Sequence, residues 1–84
     1  MAEREVGKVT HYYTNIGVAI VEVTDTLKVG DRIHVQGATS DFEQEVTSMQ
    51  IEHEEVQEAE SGDAIGLKVE EKARGGDKVF VVED

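Results

Sequence analysis

The sequence predicts a small all-β fold, an antiparallel barrel, and three observations carry that prediction. Apolar residues recur with a period of two, turn signals built on Gly and Asp separate those runs, and no segment reads as a convincing amphipathic helix. With 84 residues there is room for one domain, residues 1–84. At this length a closed barrel is favoured over an open sandwich, because closure removes exposed strand edges.

The first strand is expected around Gly7 to Tyr13, where Val9 stands between Lys8 and Thr10. In Val18 to Val23, Ala19, Val21 and Val23 alternate with Val18, Ile20 and Glu22, a β-branched run suited to a pleated, partly buried surface. Val29-Gly30-Asp31 then marks a turn, and Arg32-Ile33-His34-Val35-Gln36 alternates polar and apolar residues without interruption. After Gln36-Gly37, the segment Val46 to Ile51 puts Met49 and Ile51 on one face and Ser48 and Gln50 on the other. Ser61-Gly62-Asp63 precedes a strand at Ala64 to Val69, with Ile65, Leu67 and Val69 inward. Arg74-Gly75-Gly76-Asp77 precedes the last strand, Lys78 to Val82. Six strands result. The segment His53 to Glu60 holds good helix formers, but Glu54 and Glu58 repel at i and i+4 and only Val56 and Ala59 could face a core. It reads as a solvated loop or a single turn. No internal repeat is evident along the chain.

Charge and composition exclude several functions. The formal charge is −11, with 19 acidic against 8 basic residues, which disfavours generic attachment to nucleic acid or anionic lipid. There is no Cys, so disulfides, thiolate zinc sites and thiol redox chemistry are ruled out. The longest apolar run, Ile16 to Val21, is far too short to span a bilayer, and the charged first residues lack the form of a signal peptide. A cytoplasmic protein without membrane partners is expected.

Catalytic constellations are likewise missing from the expectation. His53-Glu54-Glu55-Val56-Gln57 lacks the second His that a zinc-protease helix places at i+4, and His11 and His34 have no ligand spacing. All three histidines read as ordinary surface or strand residues. Ser40, Ser48 and Ser61 have no nucleophile-elbow flanks. No phosphate-cradling glycine loop is present, so GTP binding by this chain is not expected, and neither is any other cofactor or metal.

Cations are unevenly spread. None lies between Ile33 and Leu67, whereas Lys68, Lys72, Arg74 and Lys78 fall in the last two strands and the turn joining them. Lys68, Lys72 and Arg74 are therefore the candidate RNA-binding residues, with Tyr12 or Tyr13 as a stacking surface, one of the pair necessarily facing inward. The competing reading is that these cations only balance Glu70, Glu71 and Asp77.

Leu27-Lys28-Val29-Gly30-Asp31 followed by Ile33-His34-Val35 resembles the strand–turn–strand of domain 2 in translational GTPases. Val46 to Glu55 followed by Glu58 to Leu67 resembles the matching segment of elongation factor 1-alpha, and Arg74 to Val79 parallels the last strand of that barrel. The chain also resembles the C-terminal barrel of collagenase-like peptidases and related RNA-modifying enzymes. The resemblance covers roughly Val6 to Val82 and implies a six-stranded antiparallel Greek-key β-barrel of the elongation factor Tu / 1-alpha domain 2 type. Its parents contact the acceptor end of aminoacyl-tRNA. Here an acid of that region is replaced by Gln50 and an Asn by Ala64, and the resemblance is to the barrel without its nucleotide motor, so GTP-dependent tRNA delivery is not expected. The expected function is thus a non-catalytic, free-standing binding module for a larger protein in or near translation or RNA-modification machinery. The alternatives are a weak RNA or tRNA contact through Lys68, Lys72 and Arg74, and a detached accessory domain of a collagenase-like peptidase.

Overall fold

The computed structural model describes residues 2–38 and 40–83. Among them every regular element is a strand, so no helix is long and apolar enough to cross a membrane. The strands are β1 (Ala2–Tyr13), β2 (Val18–Val23), β3 (Leu27–Lys28), β4 (Arg32–Gln36), β5 (Asp41–Glu45), β6 (Met49–Ile51), β7 (Glu54–Val56), β8 (Glu58–Ala59), β9 (Ala64–Lys68) and β10 (Lys78–Glu83). All pairings are antiparallel, in a sheet of order β5-β4-β10-β1-β2-β9-β6-β7 with β3 and β8 forming a second, two-stranded sheet. Val6, Val9, Val21, Ile33, Ile65 and Leu67 are all fully buried and head one hydrophobic core.

The six expected strands are all present, and four short segments join them. β5 escaped the periodicity because its outward residues are Asp41, Glu43 and Glu45, while one of its two inward residues is Gln44. Val46 to Ser48 lie outside β6, so the strand expected over Val46 to Ile51 is shorter. The segment 53–60, expected as a loop or single turn, instead supplies β7 and β8. β1 starts at Ala2 because its polar first residues pair with the end of β10, from Ala2↔Glu83 to Lys8↔Lys78. Register shifts between Glu5 and Gly7 and between Val9 and His11 bend this long strand, as bulges do. At the first of them Gly7 is required: a Cβ there would lie 2.7 Å from Val21 Cγ1 and 2.9 Å from Glu22 O.

Three turns share one construction. In Lys28–Asp31, Glu60–Asp63 and Arg74–Asp77 the Asp carboxylate accepts the N–H of the first residue at 2.9–3.0 Å, and the Asp N–H donates to that residue's carbonyl at 3.0–3.1 Å. The glycines Gly30, Gly62 and Gly76 have φ of +98°, +98° and +99°, a region open to residues without a Cβ. Each Gly N–H donates to a valine carbonyl, and that valine's N–H donates back to the Asp carbonyl. The three valines are Val46, Val23 and Val9, at most 1% exposed. The chain therefore holds a threefold structural repetition without a sequence repeat to announce it.

The outer strands of the large sheet, β5 and β7, approach other segments without strand pairing. The Gln44 side chain, 4% exposed, donates from Nε2 to Lys68 O at 2.9 Å and accepts Glu70 N–H at Oε1 at 2.8 Å. A side-chain amide thus makes the two bonds that a neighbouring strand would make. The turn after β3 joins both sides, with Val29 N–H donating to Gln57 O at 2.9 Å and Gly30 N–H to Val46 O at 2.9 Å.

Candidate functional site

Two concavities flank the β1–β2 hairpin. The larger, about 600 Å³, is lined by Thr10, His11, Tyr12 and Thr14 of the hairpin arm, by Ser40, and by Lys72 to Gly75. No described Asp or Glu lines it, on a chain with 19 acids. Lys72 is carried by the irregular segment after β9, which is tied down where Ser40 Oγ reaches Lys72 O at 3.5 Å. Arg74 opens the third Gly-Asp turn, where its backbone N–H donates to the buried carboxylate of Asp77. Gly75 runs close beneath, where a Cβ would lie 3.2 Å from Thr10 O.

Of the three cations singled out from the sequence, the structure brings Lys72 and Arg74 to this groove and leaves Lys68 out of it. Lys68 ends β9, with Nζ 3.4 Å from Ile16 O. The tyrosines also part company. Tyr12 packs against the core and lines the first groove, whereas Tyr13 is 47% exposed and lines the second. Lys28 and Arg32 face Glu58 at 3.7 Å and Glu43 at 3.0 Å and line neither groove.

The second groove, about 310 Å³, runs over the outside of β2, β9 and β6. Tyr13, Ile16, Val18 and Ile20 form one wall and Gln50, Glu52 and His53 the other, with Ala64, Ile65 and Gly66 as floor. Glu52 and His53 have φ of 52° and 68°, placing two consecutive non-Gly residues in the left-handed region at the β6–β7 turn.

One histidine is more than an ordinary strand residue. His34 of β4 meets Glu3 of β1 through Nδ1 at 2.8 Å and Asp41 of β5 through Nε2, and its ring lies 6.3 Å from that of Phe80 on β10. With a carboxylate at each nitrogen the imidazolium is favoured. Its pKa is raised above 6.5, chiefly by the hydrogen bond to Asp41; partial burial opposes the shift and Glu3 adds to it. The sequence separates these three residues too widely for any local pattern to show them. Among the described residues no group of three or more His, Asp or Glu is arranged to hold a metal.

Antiparallel strands in this order, turned by glycine-aspartate loops, define a translation-factor type of β-barrel domain. Residues 17–76 match the family model of elongation factor Tu domain 2, and the chain belongs to that family. Its relatives include an uncharacterized protease of Methanocaldococcus jannaschii, 37% identical over 81 residues that make up 95% of this chain and 20% of the relative. A collagenase of Porphyromonas gingivalis is 35% identical over 77 residues, 89% of this chain and 21% of the collagenase. The chain thus spans about a fifth of the length of these relatives. Among solved structures, the C-terminal domain of a Geobacillus thermoleovorans protein described as a U32 peptidase superposes with a TM-score of 0.89 at 19% identity, over 95% of this chain and 93% of that one. Its selenomethionine variant gives 0.86 at 20% identity, over 90% and 96%. The chain is therefore a small domain similar to the C-terminal domains of such peptidases.

Proposed function

We propose that this chain is a non-catalytic docking module that seats on a larger protein, as an accessory domain would in a collagenase-like protein. One observation carries the reading: the match takes in nearly the whole chain but only a fifth of each relative, so the shared unit accompanies a much larger body. Membership of the elongation-factor domain family supports a place for it in or near translation or RNA-modification machinery. The test is titration of the full chain against the Methanocaldococcus jannaschii relative from which its own matching segment has been deleted. Saturable binding supports the proposal, and the isolated chain should cleave no peptide. Absence of binding, or turnover by the chain alone, would overturn it.

A second reading is favoured by the groove that no described Asp or Glu lines, with Lys72 and Arg74 on its rim. RNA held there would bind more weakly as salt rises, because phosphate contacts release counterions. Lack of tRNA binding at about 50 mM salt, where such contacts are strongest, would remove it.

A further inference from the structure

We propose that the groove over β2, β9 and β6 receives a basic segment of a partner protein. That segment lays one large apolar side chain over Gly66, between Ile20 and Gln50, with its flanking Lys or Arg against Glu52 and Glu55. The inference rests on the docking-module reading and assigns it a face.

Outward positions of an antiparallel sheet facing water are usually polar, but here Val18 and Ile20 look outward and are only half-buried. The register aligns Ile20↔Gly66 and Gln50↔Gly66 across the face. Gly66, without a side chain, lies low on the groove floor between them, and a Cβ there would already meet Val18 Cγ1 at 3.4 Å. Beside Gly66 stand Tyr13, 47% exposed, and Ile16, 58% exposed, the large apolar side chains most open to solvent among the described residues. The Tyr13 ring is braced edge-on by His11 at 4.5 Å.

Charge selects the occupant. Glu52 lines the groove, Glu22 pairs with Ala64 on its floor, and Glu55 pairs with Gln50 at its far wall. Lys68 stands at the near end with Nζ 3.4 Å from Ile16 O, and Lys8 sits opposite Glu22 across β1–β2, so Glu52 and Glu55 are the acids that select the occupant. A second copy of a chain with charge −11, or a nucleic acid, would meet like charge at this rim. A basic peptide would not.

The turn supplies an independent sign. A two-residue hairpin turn with positive φ at both positions is best made by Asn-Gly, yet Glu52 and His53 occupy it, and both line the groove. Strain of this kind persists where a side chain is needed for something other than folding.

The probe is a short peptide with a Leu-Phe pair flanked by lysines, titrated into the full chain and followed by backbone amide NMR. A second peptide carries glutamates in place of the lysines. Saturable shifts centred on Ile20, Gly66 and Gln50 are expected for the lysine peptide, with binding at least about tenfold weaker for its counterpart. Ile16→Asp should weaken the lysine peptide by about tenfold. The double change Glu52→Asn with His53→Gly should fold at least as well as the parent and still bind several-fold more weakly, so its loss cannot be unfolding. Equal binding of both peptides would overturn the proposal. So would unchanged affinity in the double variant, shifts produced by a single-stranded oligonucleotide, or shifts that follow protein concentration alone. Docking of the deleted peptidase relative separates the two claims: if Ile16→Asp leaves it intact the module stands and this face falls, and if docking fails while the peptide shifts persist the reverse holds.

Discussion

Replacing Gln44 with Met keeps the length and bulk of a buried side chain while removing both of its polar ends. In the parent the amide donates to Lys68 O and accepts Glu70 N–H, holding β5 against the segment after β9. Gln44→Met strands one carbonyl and one N–H. An unsatisfied buried group costs about 1–3 kcal/mol, and since Lys68 and Glu70 are otherwise exposed the lower end applies, giving about 2 kcal/mol in all. For a domain of this size that is a fall in Tm of about 8–16 °C. Gln44→Glu is the sharper probe. Its carboxylate still accepts Glu70 N–H but faces Lys68 O without a donor, so it should be the less stable variant at neutral pH. Protonation returns an O–H donor; the folded state favours the protonated acid, and the deficit relative to the parent should shrink as pH falls. Urea denaturation of the three proteins across pH provides the assay. A Gln44→Met midpoint equivalent to within about 0.5 kcal/mol of the parent, the ordinary scatter of surface changes, would refute the reasoning.

Other outcomes follow from particular contacts. Gly37→Ala should cost about 1–3 kcal/mol, because a Cβ there would overlap the carboxylate of buried Asp77, and thermal melts will read it. His34 has a folded pKa raised above 6.5, so its contribution is fully present below 6.5 and is lost as pH rises through the raised value. His34→Gln should flatten that part of the stability–pH curve, and a slope equal to the parent's would contradict the bridge to Glu3 and Asp41. Glu52→Asn with His53→Gly should raise stability by about 1–2 kcal/mol through relief of left-handed backbone cost, measured by denaturant midpoint.

Strands built from β-branched alternation were legible in the sequence, because a period of two follows directly from the pleat. β5 was not, since its inward Gln44 does the bonding work of a backbone and breaks the apolar pattern. The β6–β7 hairpin hid for a different reason: its tip is Glu52-His53, which carries no Gly or Asn signal. The Gly-Asp turns could be read, but their valine partners could not, because Val9 and Gly76 meet only through the tertiary fold. Site residues show the same limit. Lys68, Lys72 and Arg74 lie close in sequence, yet Lys68 ends a strand beside Ile16 while the other two follow the chain around to the β1 arm.

The pairing of Ala2 with Glu83 brings the two extremities of the described chain side by side. A short flexible tether could therefore join head to tail without disturbing any strand. The polypeptide could then be reopened between Glu52 and His53, turning the tautest bend of the molecule into a pair of free ends. Such a rewired version would keep every core valine in place while releasing the wall of the apolar groove, separating the scaffold from its contact surface in one molecule.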